Sequence, residues 1–350
     1  MRTHYKYLLL LGLLPGNMPA SLAQELVRPA TEATSVVFNK ERMTERDIVV
    51  EADGFKLPGT LTLPITASEQ HKVPCLILVH GSGPNDRDES IGPNKPFRDL
   101  AWGLAERGIA TIRYDKRTRV YGANCVPVGR ELDYDTEAVD DAVAAVALAS
   151  SVSEVASDSI FLLGHSLGGT LAPRIAERSD ALAGIIILAG LVRPLGEAVI
   201  EQVTYLSSLS GEMSAAAKAQ VEQLRLLVNN AKKAGTVEFD NSLPLPLGLP
   251  ASYWQMANKY QPTETAAGLE MPILVLQGER DYQVTMLDFT LWQFRLSGKK
   301  NAVFKSYPRL NHLMQEGEGK STPQEYTQPT PVAPYVIEDV AAFIHHQKIQ

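Results

Sequence analysis

In Gly164-His165-Ser166-Leu167-Gly168, the apolar run Ile160-Phe161-Leu162-Leu163 gives way to a helix-forming stretch from Gly169. A serine flanked at two residues on either side by glycine, on a turn from a strand into a helix, is the arrangement that presents a hydroxyl for nucleophilic attack. Such a turn holds its central residue at positive φ, and the strand and helix backbones pass so close that the flanking positions tolerate almost no side chain. In a chain with 25 glycines the pattern alone decides little, so the reading rests on the groups a serine needs before it can react.

The first is a general base, and there are seven histidines to choose from. His4 falls in the N-terminal leader, His71 in a polar loop before a strand, and His345 and His346 at the end of the C-terminal helix. His165 lies within the turn and must point away from the serine, and His80 closes a strand. His312 remains, in Pro308-Arg309-Leu310-Asn311-His312-Leu313 after the strand-like Ala302-Val303-Phe304-Lys305-Ser306-Tyr307. Loops at the carboxyl ends of strands are where catalytic groups gather in open α/β sheets.

The second is a carboxylate to fix the tautomer of the base and stabilise its imidazolium. Ile273-Leu274-Val275-Leu276-Gln277-Gly278 reads as a buried strand, and Glu279-Arg280-Asp281 follow it. Asp281 is the expected acid, with Glu279 as the alternative, since its longer side chain suits the wall of the site. The third requirement is a pair of donors for the oxyanion of a tetrahedral intermediate. The amide of Leu167, at the helix start, supplies one. The other is expected from His80-Gly81-Ser82-Gly83-Pro84, which follows the strand Cys75-Leu76-Ile77-Leu78-Val79; Ser82 is the first choice and Gly83 the second.

The chain resembles the α/β-hydrolase superfamily, close to bacterial esterases of the serine-aminopeptidase-like and dienelactone-hydrolase-like group. The resemblance is carried, in order, by His80-Gly81-Ser82-Gly83-Pro84, Arg113-Tyr114-Asp115-Lys116-Arg117, Gly164-His165-Ser166-Leu167-Gly168-Gly169, Gln277-Gly278-Glu279-Arg280-Asp281 and Asn311-His312, over roughly Arg46 to Gln347. It implies an acyl-serine mechanism without cofactor or metal, on a small-molecule acyl ester, and it does not name the acyl group. A serine peptidase or aminopeptidase is the alternative; it needs a carboxylate near the substrate ammonium, which Glu197 or Glu201 could provide. A non-catalytic binding protein on the same fold is the third possibility.

Composition sets the remaining bounds. With 45% hydrophobic and 21% charged residues the chain can bury a large core without being a membrane protein. Arg2, His4 and Lys6 precede an apolar run from Tyr7 to Leu14 that is too short to span a bilayer, and Ser21-Leu22-Ala23 offers small residues for cleavage before Gln24. Residues 1–23 therefore read as a secretory signal, giving a periplasmic or secreted protein without stable membrane insertion. Its removal takes away two positive charges and no negative ones, moving the formal charge from −7 to −9. An acidic chain with scattered basic residues carries no footprint for nucleic acid. Cys75 and Cys125 are expected at opposite ends of the sheet, too far apart to be bridged.

The elements that must position these groups alternate. Residues 24–45 read as a polar arm, and Asp47 to Ala52 with Phe55 to Leu63 form a hairpin around Asp53-Gly54. Strand and helix patterns then follow in turn: Val73 to Val79, Phe97 to Arg107, Ala110 to Tyr114, Thr136 to Ser150, Ile160 to Leu163, Thr170 to Arg178 and Leu182 to Ala189. This predicts a mostly parallel sheet with helices on both faces, its core formed by residues 46–190 and 269–350. Residues 191–268 contain no buried strand. Glu197 to Leu209 and Ser214 to Ala234 are helical in period, and the segment reads as an inserted cap, whose Leu243, Leu245, Leu247, Tyr253, Trp254 and Met256 either line an apolar pocket or form its underside. Asp86-Arg87-Asp88 and Asp115-Lys116-Arg117 are expected to brace the site loops as internal ion pairs.

Overall fold

In the computed structural model of the chain, residues 38–346 are described; the expected signal segment lies outside them. An eight-stranded sheet runs in the order β1-β2-β4-β3-β5-β6-β7-β8. Its strands are β1 (Met43–Ala52), β2 (Phe55–Pro64), β3 (Val73–Val79), β4 (Ala110–Tyr114), β5 (Val155–His165), β6 (Leu182–Leu188), β7 (Ile273–Gly278) and β8 (Ala302–Tyr307). β1 and β2 are antiparallel to each other, and β2 to β4, while β4 through β8 pair in parallel. This is the α/β-hydrolase fold. The hairpin turns on Asp53 (φ 52°) and Gly54 (φ 83°), the two consecutive positive φ values of a type I′ turn. Its first strand starts at Met43, three residues inside the stretch read as an arm.

Because both faces of a parallel sheet are covered, its central strands carry near-continuous apolar runs such as residues 75–79 and 160–163. Cys75, Ile77 and Val79 of β3 face one layer, formed by α3 (Asp140–Ser150), α4 (Leu167–Glu177) and α9 (Met286–Arg295). Leu76 and Leu78 face the other, formed by α1 (Pro96–Ala105) and α10 (Pro334–Ile344). α2 (Arg117–Tyr121) is a short helix after β4. Cys75 and Cys125 are both buried and not bridged to each other.

Between β6 and β7 the chain forms α5 (Leu195–Ser208), α6 (Ala215–Ala231), α7 (Ala251–Lys259) and α8 (Pro262–Gly268). The sequence reading had assigned only the first two. Prolines at the first positions of α8 and just before α7 mark those starts, because a missing N–H costs nothing there. Tyr253 and Trp254 form the underside of the insertion: Tyr253 packs on Tyr134 with ring centroids 5.0 Å apart, and Trp254 packs on Ala231 and Ala234. Leu243 is exposed instead. At its root, the fully buried Asp288 accepts from the amides of Val192 and Arg193, both at 3.0 Å, and from the Arg193 guanidinium.

β3, β5 and α4 meet at the turn carrying Ser166. A methyl group on Gly164 would overlap the Gly168 carbonyl, and one on Gly168 would strike the Val79 carbonyl and lie 2.8 Å from that of His80. These are backbone atoms of central elements that cannot move aside. Gly168→Ala is accordingly expected to lower unfolding stability by roughly 3 kcal/mol, read as a clear drop in melting temperature; melting at the wild-type temperature would contradict the packing described.

Candidate active site

The turn imposes its geometry on the serine. Ser166 has φ 54° and ψ −114°, strained for any residue with a Cβ, and is fixed by hydrogen bonds at both ends of the residue. Its amide donates to Leu188 O at 2.9 Å, and its carbonyl accepts from the amide of Thr170 at 2.9 Å. The side chain is half-buried. Leu167, the first residue of α4, has an amide with no acceptor inside the helix, as do all first-turn amides.

Asp281 follows β7 and His312 follows β8, so adjacent parallel strands deliver both to one end of the sheet. His312 Nδ1 lies 2.6 Å from Asp281 Oδ2, with both side chains almost fully buried. The carboxylate is held by the amides of Gln283 (2.7 Å) and Val284 (3.1 Å) and by Gln277 Nε2 (3.2 Å). With Nδ1 committed to Asp281, the proton-accepting nitrogen of a neutral His312 is Nε2. Glu279, the alternative acid, is exposed and accepts from the Ser306 hydroxyl at 2.8 Å, away from His312. Among the described residues no hydrogen bond joins His312 to the Ser166 hydroxyl. The imidazole instead reaches the turn through His165, 4.6 Å away between ring centroids. Resting enzymes often hold this contact long and shorten it when substrate binds.

His165 turns away from the serine side, as expected, and meets an unforeseen partner. Its Nδ1 lies 2.9 Å from Glu89 Oε2 and its Nε2 lies 2.9 Å from the carbonyl of His312. Both neighbours are acceptors, and a neutral imidazole has a single N–H, so only the imidazolium satisfies both. Burial pushes the His165 pKa down, but the Glu89 carboxylate and the carbonyl outweigh it and leave it above the ordinary 6.5. Burial likewise pushes Glu89 up, and the charge and hydrogen bond of His165 outweigh it, leaving it below 4.5. Glu89 itself sits at φ 52° and also accepts from the amide of Gly81 at 2.6 Å.

Gly81 and Ser82 follow β3, so close to the serine turn that a Cβ on Gly81 would lie 3.1 Å from that of Ser166. The Gly81 amide is taken by Glu89, whereas the Ser82 amide has no protein acceptor among the described residues. Gly83 has φ 93°, and its carbonyl accepts from Asn85 N. His80 is buried against Phe97 and Tyr114, and burial lowers its pKa to about 4, so it stays neutral.

The acidic and basic runs brace the loops by ion pairs, with one departure from expectation. Arg87 pairs with Asp115 at 2.9 Å, and Asp88 with Lys95 at 2.9 Å and with Arg113. Arg117, however, is fully buried against Asp141 (2.5 Å) and Asp53 (3.3 Å), tying α3 to the tip of the β1–β2 hairpin rather than bracing the site loops. Among the described residues no cluster of three His, Cys, Asp or Glu is placed to hold a metal.

Sequence reasoning missed Glu89, Glu137 and Gln283. Nothing local marks the first two: Glu89 meets His165 across 76 residues, and Glu137 meets Tyr253 across 116, whereas Gln283 acts on Asp281 through its backbone amide, which any residue but proline carries. The Glu89–His165 pair has a pH signature. The raised His165 contributes stability that is full below about pH 6.5 and is lost as pH rises through its folded pKa. The lowered Glu89 contributes above about pH 4.5 and is lost as pH falls through its own. Glu89→Gln is therefore expected to destabilise the protein by roughly 3 kcal/mol between about pH 5 and 6.5, with the gap to wild type narrowing on the alkaline side; a pH-independent gap in urea unfolding would rule out the charged pair.

Comparison with known proteins gives the family and the fold. Residues 74–319 match the sequence profile of the family described as serine aminopeptidase, S33. The chain is 39% identical over 304 residues to Esterase EstD of Thermotoga maritima, covering 87% of this chain and 68% of that protein. Two solved structures share the fold. Est1E from Butyrivibrio proteoclasticus has a TM-score of 0.54 at 20% identity, covering 86% of this chain and 98% of its own. A puromycin-hydrolyzing peptidase from Mycobacterium tuberculosis has a TM-score of 0.56 at 15% identity, covering 87% of this chain and 39% of its own. With a profile spanning most of the chain and a relative this similar, the protein belongs to the serine aminopeptidase S33 family within the α/β-hydrolases.

Proposed function

We infer that the protein is a carboxylic ester hydrolase working through an acyl-serine intermediate. The 39% identity to an esterase over 304 residues carries the choice of reaction. In the mechanism we assign, Ser166 Oγ attacks the ester carbonyl while Nε2 of His312 takes its proton. Asp281, 2.6 Å from Nδ1, orients the ring and stabilises the imidazolium. The amides of Leu167 and Ser82 receive the oxyanion, and His312 returns the proton to the leaving alkoxide. Water, activated by the same imidazole, then attacks the acyl carbonyl and releases the acid and the free serine.

A peptidase reading meets an obstacle in the insertion. Glu197 is paired with Lys232 at 3.1 Å and Glu201 with Arg193 at 2.6 Å, so a substrate ammonium would have to compete with a cation already present at each carboxylate. An alkoxide is also the easier group to expel.

Ser166→Ala is expected to cut p-nitrophenyl ester hydrolysis by at least about 10⁴-fold and to abolish fluorophosphonate labelling, with melting unchanged. The wild type should favour short p-nitrophenyl esters over aminoacyl anilides, and the reverse order would transfer the chain to the peptidases. We also propose that residues 1–23 direct export, on their basic start and short apolar run; intact-mass analysis of the protein from an exporting host should then give a mature chain beginning at Gln24.

A further inference from the structure

Lys116 lies between β4 and α2 and is 2% exposed, yet no substrate-facing role follows from its position in the sequence. Its Nζ donates to the carbonyl of Gly81 at 2.8 Å and to Glu137 Oε1 at 2.5 Å. Asn85 Nδ2 adds a second donor to the same carbonyl at 3.1 Å. That carbonyl belongs to the peptide joining Gly81 to Ser82, which is planar and trans, so its N–H points opposite to its C=O. Holding the oxygen from one side therefore aims the Ser82 amide toward the other. An ammonium on the oxygen also draws electron density from the peptide and strengthens its N–H as a donor, more so in a dry setting.

From this we propose that Lys116 is a positioning residue for the oxyanion hole, orienting and polarising the Gly81–Ser82 peptide whose amide binds the developing negative charge. The assignment rests on the acyl-serine reading above. Its surroundings are built for the purpose. Glu137, buried in the wide turn at Asp135–Val139 before α3, neutralises the ammonium, and its other oxygen accepts from the Tyr253 hydroxyl at 2.7 Å. Tyr253 lies on α7, so a continuous chain of charged and polar contacts runs from the insertion to the peptide beside Ser166. The opposite side of Gly81 is gripped by Glu89 through its amide, leaving the loop little freedom to rotate.

The test uses Lys116→Met/Glu137→Gln, which removes the ammonium without stranding a buried carboxylate. Steady-state hydrolysis of p-nitrophenyl butyrate, inhibition by an alkyl trifluoromethyl ketone and thermal melting are measured together. The ketone forms an oxyanion on the serine, so it senses the hole where a ground-state ester does not. A fall in kcat of about 10–100-fold, KM within about threefold, and a ketone Ki raised in step with the loss of kcat support the assignment. Wild-type kcat, or a lowered kcat with unchanged ketone affinity, overturns it. Should the double variant not fold, Lys116→Gln/Glu137→Gln keeps a neutral donor near Gly81 and is expected to show the same pattern at about 3–10-fold; no change in kcat and Ki there overturns the assignment equally. Fluorophosphonate labelling of the wild type and of Ser166→Ala separates the two readings: a wild type that labels while the Lys116 variants react normally refutes only the role of Lys116.

Discussion

The close crossing of three backbones at Gly164, Gly168 and Gly169 is the constraint on which the site depends. β5 enters and α4 leaves so near β3 and the end of β6 that a single methyl on any of these glycines would meet main-chain atoms. That crossing drives Ser166 into a conformation serine would not choose in solution. The strain is sustained by the sheet, whose central strands carry apolar residues on both faces, and not by the serine itself. Removing the hydroxyl therefore leaves the turn intact, whereas adding one carbon two residues away does not.

From that crossing the remaining parts follow by strand order. Parallel strands place their following loops at one end, so a serine after β5, an acid after β7 and a histidine after β8 converge although 115 and 31 residues separate them in sequence. The acid and base are joined by a short buried contact. The oxyanion side is fixed differently, by two buried ionic groups that hold the amide and the carbonyl of Gly81 from opposite directions. Local covalent geometry sets the nucleophile, while long-range electrostatics sets the donors.

That difference explains what the sequence revealed. Ser166, Asp281 and His312 could be singled out because Ser166 sits between two glycines after an apolar run, His312 is one of seven histidines, and Asp281 follows a buried strand lying between the two in sequence. The choice of Asp281 over Glu279 followed from reach; His312 lies against Asp281, while Glu279 meets Ser306 on the surface. Glu89, Lys116 and Glu137 were not legible in their roles, since acidic and basic residues in loops are ordinarily solvated and only the folded chain shows them nine-tenths buried. Helices α7 and α8 escaped for another reason: they are nine and seven residues long and follow a proline-rich stretch, too short for a repeating apolar face to emerge. Arg117 looked like its neighbours in sequence, but it opens α2, and its partners Asp141 and Asp53 come from distant parts of the chain.

The grip of Asp288 on the first residues after β6 bears on how ligands can enter. A hinge at Val192 and Arg193 would have to sacrifice two amide bonds and a guanidinium pair in a dry place, and α5 is further moored to the loop after Asp281 through Gln202 and to Ser321 through Tyr205. Opening by a swing of the entire insertion is thus disfavoured. The far end of the insertion is tied down as well, with Ser252, Tyr253 and Tyr260 bonded to Leu132, Glu137 and Thr170, so both of its ends are fastened to the sheet's own layers.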